Sequence, residues 1–344
     1  MADTRTSPRP LEAMHRRRCL QRLAGWSAAS LLAGAPLVQP VVAHAQDYPA
    51  RPIRLIVPFA PGGSSDTVSR LVAQKLSAAL GQQVVLENRS GAGGNIGMDA
   101  VAKAAPDGYT LLFAAGSAAI NVSLYDRLPF DPLKDLVPVS HVCNVNGILV
   151  VHPSVPARTL REFIDLARAR PDAINYASAG SGTVVHLAGE MFKSMARVNL
   201  THVPYKGSGP AVVDLAAGAV HMMMDGLPSL INQIKSGRLR PLAAMADKRF
   251  DVFPDVPTIA EAGFPGLEDG VWYGLSAPRG VPAPIVDQLS KLAARVITSP
   301  DVRDRFATVG GLPMVMGPKE YLAFIQRENR KWGEIVRAAK VVAD

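Results

Sequence analysis

The feature that most constrains the fold is a repeated order of short apolar run, small-residue turn and amphipathic helix. Ile53–Val57 is followed by a Gly/Ser turn at residues 62–66 and then by apolar residues at helical spacing. The same order returns at residues 174–177, with a turn at 179–183 and a second helix. Short apolar runs that alternate with helices are typical of α/β sheets. The sequence therefore predicts an α/β fold.

The remaining elements continue this alternation, and the two echoing units predict two lobes. Strands are predicted at 84–87, 109–114, 147–152, 202–205, 221–225, 239–246 and 271–277. The helix after the second turn is predicted to run to residue 195. Further helices are predicted at 160–170, 210–217, 227–235, 258–262, 284–299, 301–309 and 318–339. Ligands collect at the carboxyl ends of parallel strands, so one turn from each lobe should face a cleft. We assign residues 46–145 to lobe 1, 146–250 to lobe 2 and 251–344 to a return part of lobe 1.

The first 45 residues have the composition of a secretory signal peptide. Three arginines at 16–18 precede an uncharged apolar stretch at 23–42, and Ala43-His44-Ala45 forms a small-x-small cleavage site. We predict cleavage after Ala45. The arginines lack the full twin-arginine pattern, so Sec and Tat export both stay open. The alternative, a retained membrane anchor, is disfavoured by the glycine and prolines inside the stretch.

Charge and composition exclude several classes of function. Half of the net charge of +8 lies in the leader, and the rest is interspersed, which excludes nucleic-acid binding. Cys143 is the only cysteine after the leader, so no intramolecular disulfide is expected. The glycine run at 91–97 has Ile96 where a dinucleotide fingerprint needs glycine. The histidines lack zinc-ligand spacing, and residues 46–344 contain no Gly-x-Ser-x-Gly elbow. We predict a monomer with no metal, cofactor or catalytic residue.

The two Gly/Ser turns carry the strongest indication of a binding site. Glycines allow close backbone approach, and the first amides of a helix attract an anion through hydrogen bonds and the helix dipole. Together the turns predict a two-sided carboxylate clamp. Its residues are Gly62, Gly63, Ser64, Ser65, Asp66, Ser178, Ala179, Gly180, Ser181, Gly182 and Thr183. Either turn alone is equally compatible with an ordinary N-cap. Asp66 is expected to cap its helix, because a carboxylate that faced an anion would repel it.

Five further residues beside the turns or at strand ends are candidates for the pocket. They are Phe59, His186, Tyr205, Lys206 and Asp225. Phe59 would form an apolar wall, and Lys206 would supply a counter-charge or face solvent. Asp225 would accept a hydrogen bond from an amine, amide or hydroxyl, or cap a helix beside Gly226. For His186, a satisfied helix-surface or core position is an equal alternative.

Seven motifs occur in a fixed order that covers nearly all of residues 48–335. They lie at 57–66 (VPFAPGGSSD), 87–97 (ENRSGAGGNIG), 106–111 (PDGYTL), 178–183 (SAGSGT), 186–190 (HLAGE), 203–207 (VPYKG) and 255–263 (DVPTIAEAG). This set resembles the Bug receptors, the substrate-binding subunits of tripartite tricarboxylate transporters. The resemblance implies a periplasmic Venus-flytrap fold, type II-like, with two α/β lobes and a hinge of crossing strands. It implies that the turns at 62–66 and 179–183 grip a ligand carboxylate, partly through ordered water. Phe59, Asp225 and Trp272 lie where the family varies its ligand contacts.

We expect periplasmic binding of a small carboxylate by lobe closure, for delivery to an inner-membrane permease. Amino acids, dicarboxylates and aromatic acids all stay open as ligands, while the scarcity of basic candidates argues against a tricarboxylate. One rival is a solute sensor for a signalling partner. The other is an exported hydrolase or isomerase, which requires His186, Asp225 and a serine to converge within about 3 Å of a reacting atom.

Overall fold

The computed structural model describes residues 48–268, 270–308, 310–339 and 341. The signal peptide predicted at residues 1–45 lies outside the described residues. The strands are β1 Ile53–Val57, β2 Val84–Asn88, β3 Thr110–Ala115, β4 Leu136–Val145, β5 Gly147–Val151, β6 Asn175–Ser178, β7 Thr201–Pro204, β8 Met222–Gly226, β9 Arg240–Met245, β10 Val271–Pro278 and β11 Gly311–Met316. The helices are α1 Ser64–Leu80, α2 Asn95–Ala102, α3 Ser117–Leu124, α4 Leu160–Ala169, α5 Val184–Ala196, α6 Ser208–Ala217, α7 Leu227–Lys235, α8 Ala283–Ile297, α9 Pro300–Thr308 and α10 Pro318–Ala339. Within these ranges, no helix combines the length and the apolar composition needed to span a bilayer.

The strands form two sheets, and the five strands of the second are arranged like five of the six strands of the first. The first sheet has the order β11-β4-β10-β3-β1-β2, and the second has the order β7-β6-β8-β5-β9. In the first, β1 is parallel to β2 and β3, and β10 runs antiparallel between β3 and β4. In the second, β6 is parallel to β7 and β8, and β5 runs antiparallel between β8 and β9. Each sheet with its helices is a lobe, so the two-lobed α/β fold is confirmed.

Both sheets are covered by helices on both faces. In the second lobe, Leu149 and Val151 pack in the core beneath α4 and α5, while Ile148 and Val150 pack against α6 and α7. Successive side chains of a strand point to opposite faces, so a strand covered on both sides is apolar throughout. In the first lobe, α1 and α8 cover one face and α2 and α3 cover the other.

Two connections cross between the lobes side by side. β4 continues into β5 through Asn146, and the chain returns at the start of β10, where Val271 pairs with Val145. A Cβ added to Gly270 would lie 2.0 Å from the Val145 carbonyl oxygen. Only glycine therefore allows the connections to approach this closely, and we propose that they form the hinge.

The residues before the second crossing pack on the second lobe. Ile259 and Leu267 belong to its core, and Ala244 of β9 bridges Thr258. Residues 251–268 fall instead within the range, 251–344, that the sequence predicts as the return part of the first lobe. On these contacts we propose that the return part begins near residue 270.

The helix predicted at 258–262 is wrong. Thr258 and Glu261 form the reciprocal hydrogen bonds of a capping box, at 2.7 Å and 3.1 Å between backbone nitrogen and side-chain oxygen. The segment is nevertheless a turn, because the chain reverses at Gly263, whose φ of 95° is left-handed. The sequence pattern does not predict four further elements, namely α2, α3, β4 and β11.

Candidate ligand-binding site

The first Gly/Ser turn joins β1 to α1 at the junction of the lobes. Gly62 has a φ of 90°, and Gly63 is the N-cap of α1 without a side-chain capping bond. The Asp66 carboxylate accepts a hydrogen bond from the Gly62 N–H at 3.2 Å. Asp66 therefore holds the turn from the first turn of α1, while Gly63 occupies the N-cap position itself. A glycine N-cap leaves the first amides of α1 free of competition from a capping side chain.

Asp66 is the centre of a hydrogen-bonded group behind the turn. Its oxygens accept from Arg70 Nε and Nη2 at 3.0 Å each and from Asn88 Nδ2 at 3.3 Å. Burial by itself raises the pKa of Asp66, but the bonds from Arg70, Gly62 and Asn88 outweigh it and lower the pKa below its usual value. The carboxylate is therefore ionised at neutral pH and is paired with Arg70.

The second turn, between β6 and α5, is held by its own side chains. Thr183 is the N-cap of α5 and accepts from the His186 N–H at 3.3 Å. Its hydroxyl also donates to the Gly180 carbonyl at 2.6 Å, and Ser178 Oγ accepts from the Gly180 N–H at 3.1 Å. Gly180 and Gly182 have φ angles of 123° and 81°, a region that glycine adopts readily.

The two turns line one narrow cavity between the lobes. About 30 Å³ of this cavity is open to water centres. A water molecule needs about 10–15 Å³ on this measure, so the cavity holds about two waters in this conformation. Its lining residues are Phe59, Ser65, Ala115, Gly116, Ser117, Ala179, Thr183, Val184, Val185, Ser208, Asp225, Val271 and Tyr273.

Four helices begin at this cavity, and their first residues line it. Ser65 lies at the second position of α1, Ser117 and Ser208 are the first residues of α3 and α6, and Val184 and Val185 begin α5. Each N-terminus carries partial positive charge and amides without partners inside the helix. No lysine or arginine occurs among the described residues that line the cavity. Helix ends and hydroxyls therefore make this cavity suited to an anion.

Asp225 is the one carboxylate in the lining, and it is almost fully buried. Its oxygens accept from the Gly226 N–H at 2.7 Å and from Ser229 Oγ at 2.5 Å, and Ser208 also donates to it. Burial raises the pKa of Asp225, although these donors oppose the rise. Asp225 therefore holds the start of α7, one of the two uses that the sequence leaves open, and it also lines the cavity.

The other predicted site residues lie around the cavity. Gly62, Gly63 and Ser64 contact the second lobe, and Ser178, Gly180, Ser181 and Gly182 form the body of the second turn. Tyr205 donates to Asp214, and the Lys206 side chain is exposed while its carbonyl accepts from Ala60 N–H. The His186 ring stacks on His202, and the Trp272 indole donates to Glu328.

Sequence reasoning missed Ser117, Ser208 and Tyr273. The first two follow the signal that identified the main turns, because Gly116-Ser117 follows β3 and Gly207-Ser208-Gly209 follows β7. A search for every strand that ends in a small-residue turn would have found both. Tyr273 lies within a buried strand and carries no comparable signal.

The lobes contact each other directly through backbone groups. Ala60 N–H donates to the Lys206 carbonyl at 2.9 Å, Ser64 Oγ to the Gly226 carbonyl at 3.2 Å, and Tyr125 Oη to the Ser181 carbonyl at 3.3 Å. The structure is therefore a closed form.

Metal-binding chemistry finds no support in the part of the chain described. No three His, Cys, Asp or Glu side chains there lie close enough together to hold an ion. Cys143 is buried in the first lobe, and burial raises the pKa of its thiol.

Known proteins share this chain's sequence and fold. Residues 68–341 match the family described as tripartite tricarboxylate transporter family receptor. Protein BugT of Bordetella pertussis is 41% identical over 308 residues, which cover 89% of this chain and 94% of BugT. The chain therefore belongs to the tripartite tricarboxylate transporter receptor family, which includes the Bug proteins. It is a solute-binding receptor and not an enzyme.

Two solved structures of relatives contain carboxylic acids. An R. palustris protein with adipate is 37% identical, with a TM-score of 0.84, over 87% of this chain and all of that chain. MatC from Rhodopseudomonas palustris with bound malate is 35% identical, with a TM-score of 0.79, over 84% of this chain and all of that chain.

The hydrogen bonds of Asp66 make a pH-dependent prediction. Asp66→Ala removes the acceptor of Gly62, Arg70 and Asn88, and hydrogen bonds to a charged group contribute about 1.5–3 kcal/mol. We expect a lower midpoint of urea unfolding at pH 7. Because the pKa of Asp66 is lowered in the folded state, this stabilisation is present above the usual Asp pKa and is lost as the pH falls below it.

The matched control is Asp165→Ala, which changes an exposed aspartate on α4. It should leave the midpoint almost unchanged at any pH. Equal effects of the two substitutions at pH 7, or an Asp66 effect that persists undiminished at pH 3, would contradict the account.

Proposed function

We propose that the receptor binds a small carboxylate at the four helix N-termini of the closed cavity. The carboxylate oxygens accept hydrogen bonds from the first amides of α1, α3, α5 and α6 and from the hydroxyls of Ser65 and Ser117. The hydroxyls of Thr183 and Ser208 border the ligand but already donate to Gly180 and Asp225. Phe59 forms an apolar wall of the cavity. The residues of both turns, with His186, Tyr205 and Lys206, support the site from behind and at its rim.

The Ser117 hydroxyl is the observation that carries this proposal. Ser117 is 2% exposed, lines the cavity, and its Oγ has no hydrogen-bond partner within the described residues. A buried polar atom without a partner costs about 1–3 kcal/mol. A ligand oxygen, or a water that bridges to it, supplies the missing partner and so gains affinity at this position.

Asp225 limits the chemistry of the part of the ligand that lies away from the bound carboxylate. Burial already raises the pKa of Asp225, so a second ligand carboxylate would be placed out of water beside another acidic group, with no lysine or arginine among the described lining residues. A hydroxyl, amide or ammonium group would instead donate a hydrogen bond to it. We therefore favour an acid with one carboxylate at the helix N-termini and a donor or an apolar end near Asp225. The relatives with adipate and malate support carboxylates as the class.

The cavity is too small for a whole organic acid in this conformation. The lobes must therefore part for entry, and the cavity must enlarge around the ligand while the lobes keep their contacts at its edge. A ligand held by both lobes stabilises the closed form because it contacts both only after closure.

A single substitution separates binding from stability at this site. Ser117→Ala removes an unpaired hydroxyl, so the thermal midpoint of the unliganded protein should stay constant or rise. The affinity for a bound acid should fall about 2–10-fold, since a net hydrogen bond contributes about 0.5–1.5 kcal/mol. Calorimetric titration of residues 46–344 with adipate and malate measures the affinity.

Ser290→Ala is the control, because Ser290 is a buried serine of α8 that does not line the cavity. It should leave the affinity unchanged. An acid that binds Ser117→Ala as tightly as the unchanged protein would remove Ser117 from the site.

Closure can be blocked by one methyl group. A Cβ added at Gly209, in the first turn of α6, would lie 1.9 Å from the Pro61 carbonyl oxygen of the other lobe. Gly209→Ala should therefore hold the lobes apart while it leaves each lobe folded. We expect a larger radius of gyration in X-ray scattering with ligand present, and at least a tenfold loss of affinity, which corresponds to about 1.4 kcal/mol.

Gly317→Ala is matched to this change, since a Cβ there meets no atom within 4 Å and its φ is not left-handed. The radius of gyration of the Gly317→Ala protein should still decrease when the ligand binds. Unaltered compaction and affinity in Gly209→Ala would show that this contact is not part of the bound state.

We also propose export to the periplasm and transfer of the ligand to a tripartite-type permease. The basic, apolar and small-x-small segments of residues 1–45 support export, and the family supports the permease. The protein recovered from a periplasmic extract should begin at Gln46 by mass spectrometry. An N-terminus at Met1 would contradict cleavage.

A further inference from the structure

A stack of aromatic rings lies directly behind the second turn. The rings of His186 and His202 are 4.0 Å apart at an interplanar angle of 11°, and Tyr176 stacks on the other face of His202 at 4.9 Å. The rings come from α5, β7 and β6 respectively, so the stack joins the helix that follows the turn to two neighbouring strands of the second sheet.

Both glycine amides of the turn are held through this stack. The Gly182 N–H donates to His186 Nδ1 at 3.3 Å. The Gly180 N–H donates to Ser178 Oγ, which is 2.6 Å from His202 Nε2. The residues on either side, Ala179 and Thr183, line the cavity. The imidazoles thus fix the backbone that presents the second half of the clamp.

Protonation would break the bond to Gly182. A neutral imidazole accepts at one ring nitrogen, whereas the imidazolium carries protons on both and accepts at neither. Histidine is the side chain whose ordinary pKa lies closest to physiological pH. Two imidazolium rings at 4.0 Å repel each other, so His186 and His202 cannot both carry charge at little cost.

Two charged groups of α5, Glu190 and Lys193, lie beside the stack. Glu190, one turn further along α5, accepts from Tyr176 Oη at 2.5 Å and pairs with Lys193 at 2.8 Å. Burial raises the pKa of Glu190, but Lys193 and Tyr176 outweigh it and lower the pKa. Glu190 is therefore ionised, and its charge favours a proton on the stack. α10 packs on α5 through the apolar side chains of Trp332 and Val336.

We infer that His186 is a positioning residue whose neutral imidazole holds the second turn in its binding geometry, so that acidification loosens the clamp. The predicted effect of His186 protonation on affinity rests on the proposed function. The predicted effect on the conformation of the turn does not. The sign follows from the hydrogen bond, because the neutral form holds Gly182 and the protonated form does not. Affinity is therefore highest above the pKa of His186 and falls as the pH drops through it.

The turn itself can be observed without a ligand. In residues 46–344 labelled with ¹⁵N-glycine and ¹⁵N-histidine, the Gly182 amide resonance should shift between pH 8 and pH 5. Its midpoint should coincide with that of the His186 imidazole nitrogens. In His186→Asn the amide oxygen replaces Nδ1 as a non-titrating acceptor, and the Gly182 resonance should stay constant.

The control is His152→Asn, which removes a histidine of the second lobe outside the stack. It should leave the Gly182 titration intact. A Gly182 resonance that does not move between pH 8 and pH 5 overturns the inference. That result would mean either that His186 stays neutral in this range or that its protonation does not affect the turn. The unchanged protein and the His152→Asn variant decide this even where His186→Asn fails to fold.

Affinity is measured separately, with adipate as the probe. Where adipate binds at pH 8, its affinity should be about 2–10-fold weaker at pH 5, the range expected for one hydrogen bond. Equal affinity at the two pH values overturns the role of His186 in binding. If no tested acid binds at pH 8, the proposed function is contradicted instead. The ligand-free titration of Gly182 would still test the role of His186 in the turn.

Discussion

The structure depends on the convergence of helix N-termini on one gap between two sheets. Each sheet places the carboxyl ends of its parallel strands at this gap, and a short turn of small residues leads from each strand into a helix. Amides at the start of these helices have no partners inside the helix and lie next to positive dipole ends. The site can therefore attract an anion without a basic side chain. This explains how the lining combines small side chains, hydroxyls and a single carboxylate.

Closure depends on the absence of side chains where the lobes meet. Added Cβ atoms would lie 1.9 Å from Pro61 O at Gly209, 2.1 Å from Ser181 O at Gly93 and 2.8 Å from Ala60 N at Gly207. These atoms belong to the backbone and cannot move aside as a flexible side chain would. The glycines near the cavity thus serve two purposes, since some permit left-handed turns and others permit backbone contact between the lobes.

Much of the fold could be predicted from the sequence because its pattern is local. β1 and α7 lie at their predicted bounds, and the two main turns follow their predicted strands. α3 was missed because Ala118, Ala119 and Ile120 are all buried, which removes the apolar–polar periodicity of a surface helix. β4 was missed because Ser140 and His141 are buried within it and interrupt its apolar run. β11 could not be recognised because it contains Pro313, and proline normally argues against a strand. β11 lies at the edge of its sheet, where proline is tolerated.

The site was predicted as two turns, whereas the structure joins four. The contacts that add α3 and α6 are long-range, so no spacing along the chain reveals them. The same holds for His186, whose partner His202 arrives from a neighbouring strand. The sequence indicates that Asp66 caps its helix, and its Gly62 and Arg70 partners are four residues away on either side. Its bond to Asn88 could not be predicted, because Asn88 reaches Asp66 only once α1 packs beside β2.

The central claim is that the helix N-termini recognise the charge of a carboxylate. The most direct measurement is the thermal midpoint of residues 46–344 at pH 8 with small mono- and dicarboxylates, each compared with its own amide. A ligand that binds only the folded protein stabilises it by about 2.7 kcal/mol at a hundredfold excess over its dissociation constant. The account predicts a midpoint that rises with at least one acid and stays constant with the matching amide. Equal shifts for acid and amide, or no shift with any acid, would contradict it.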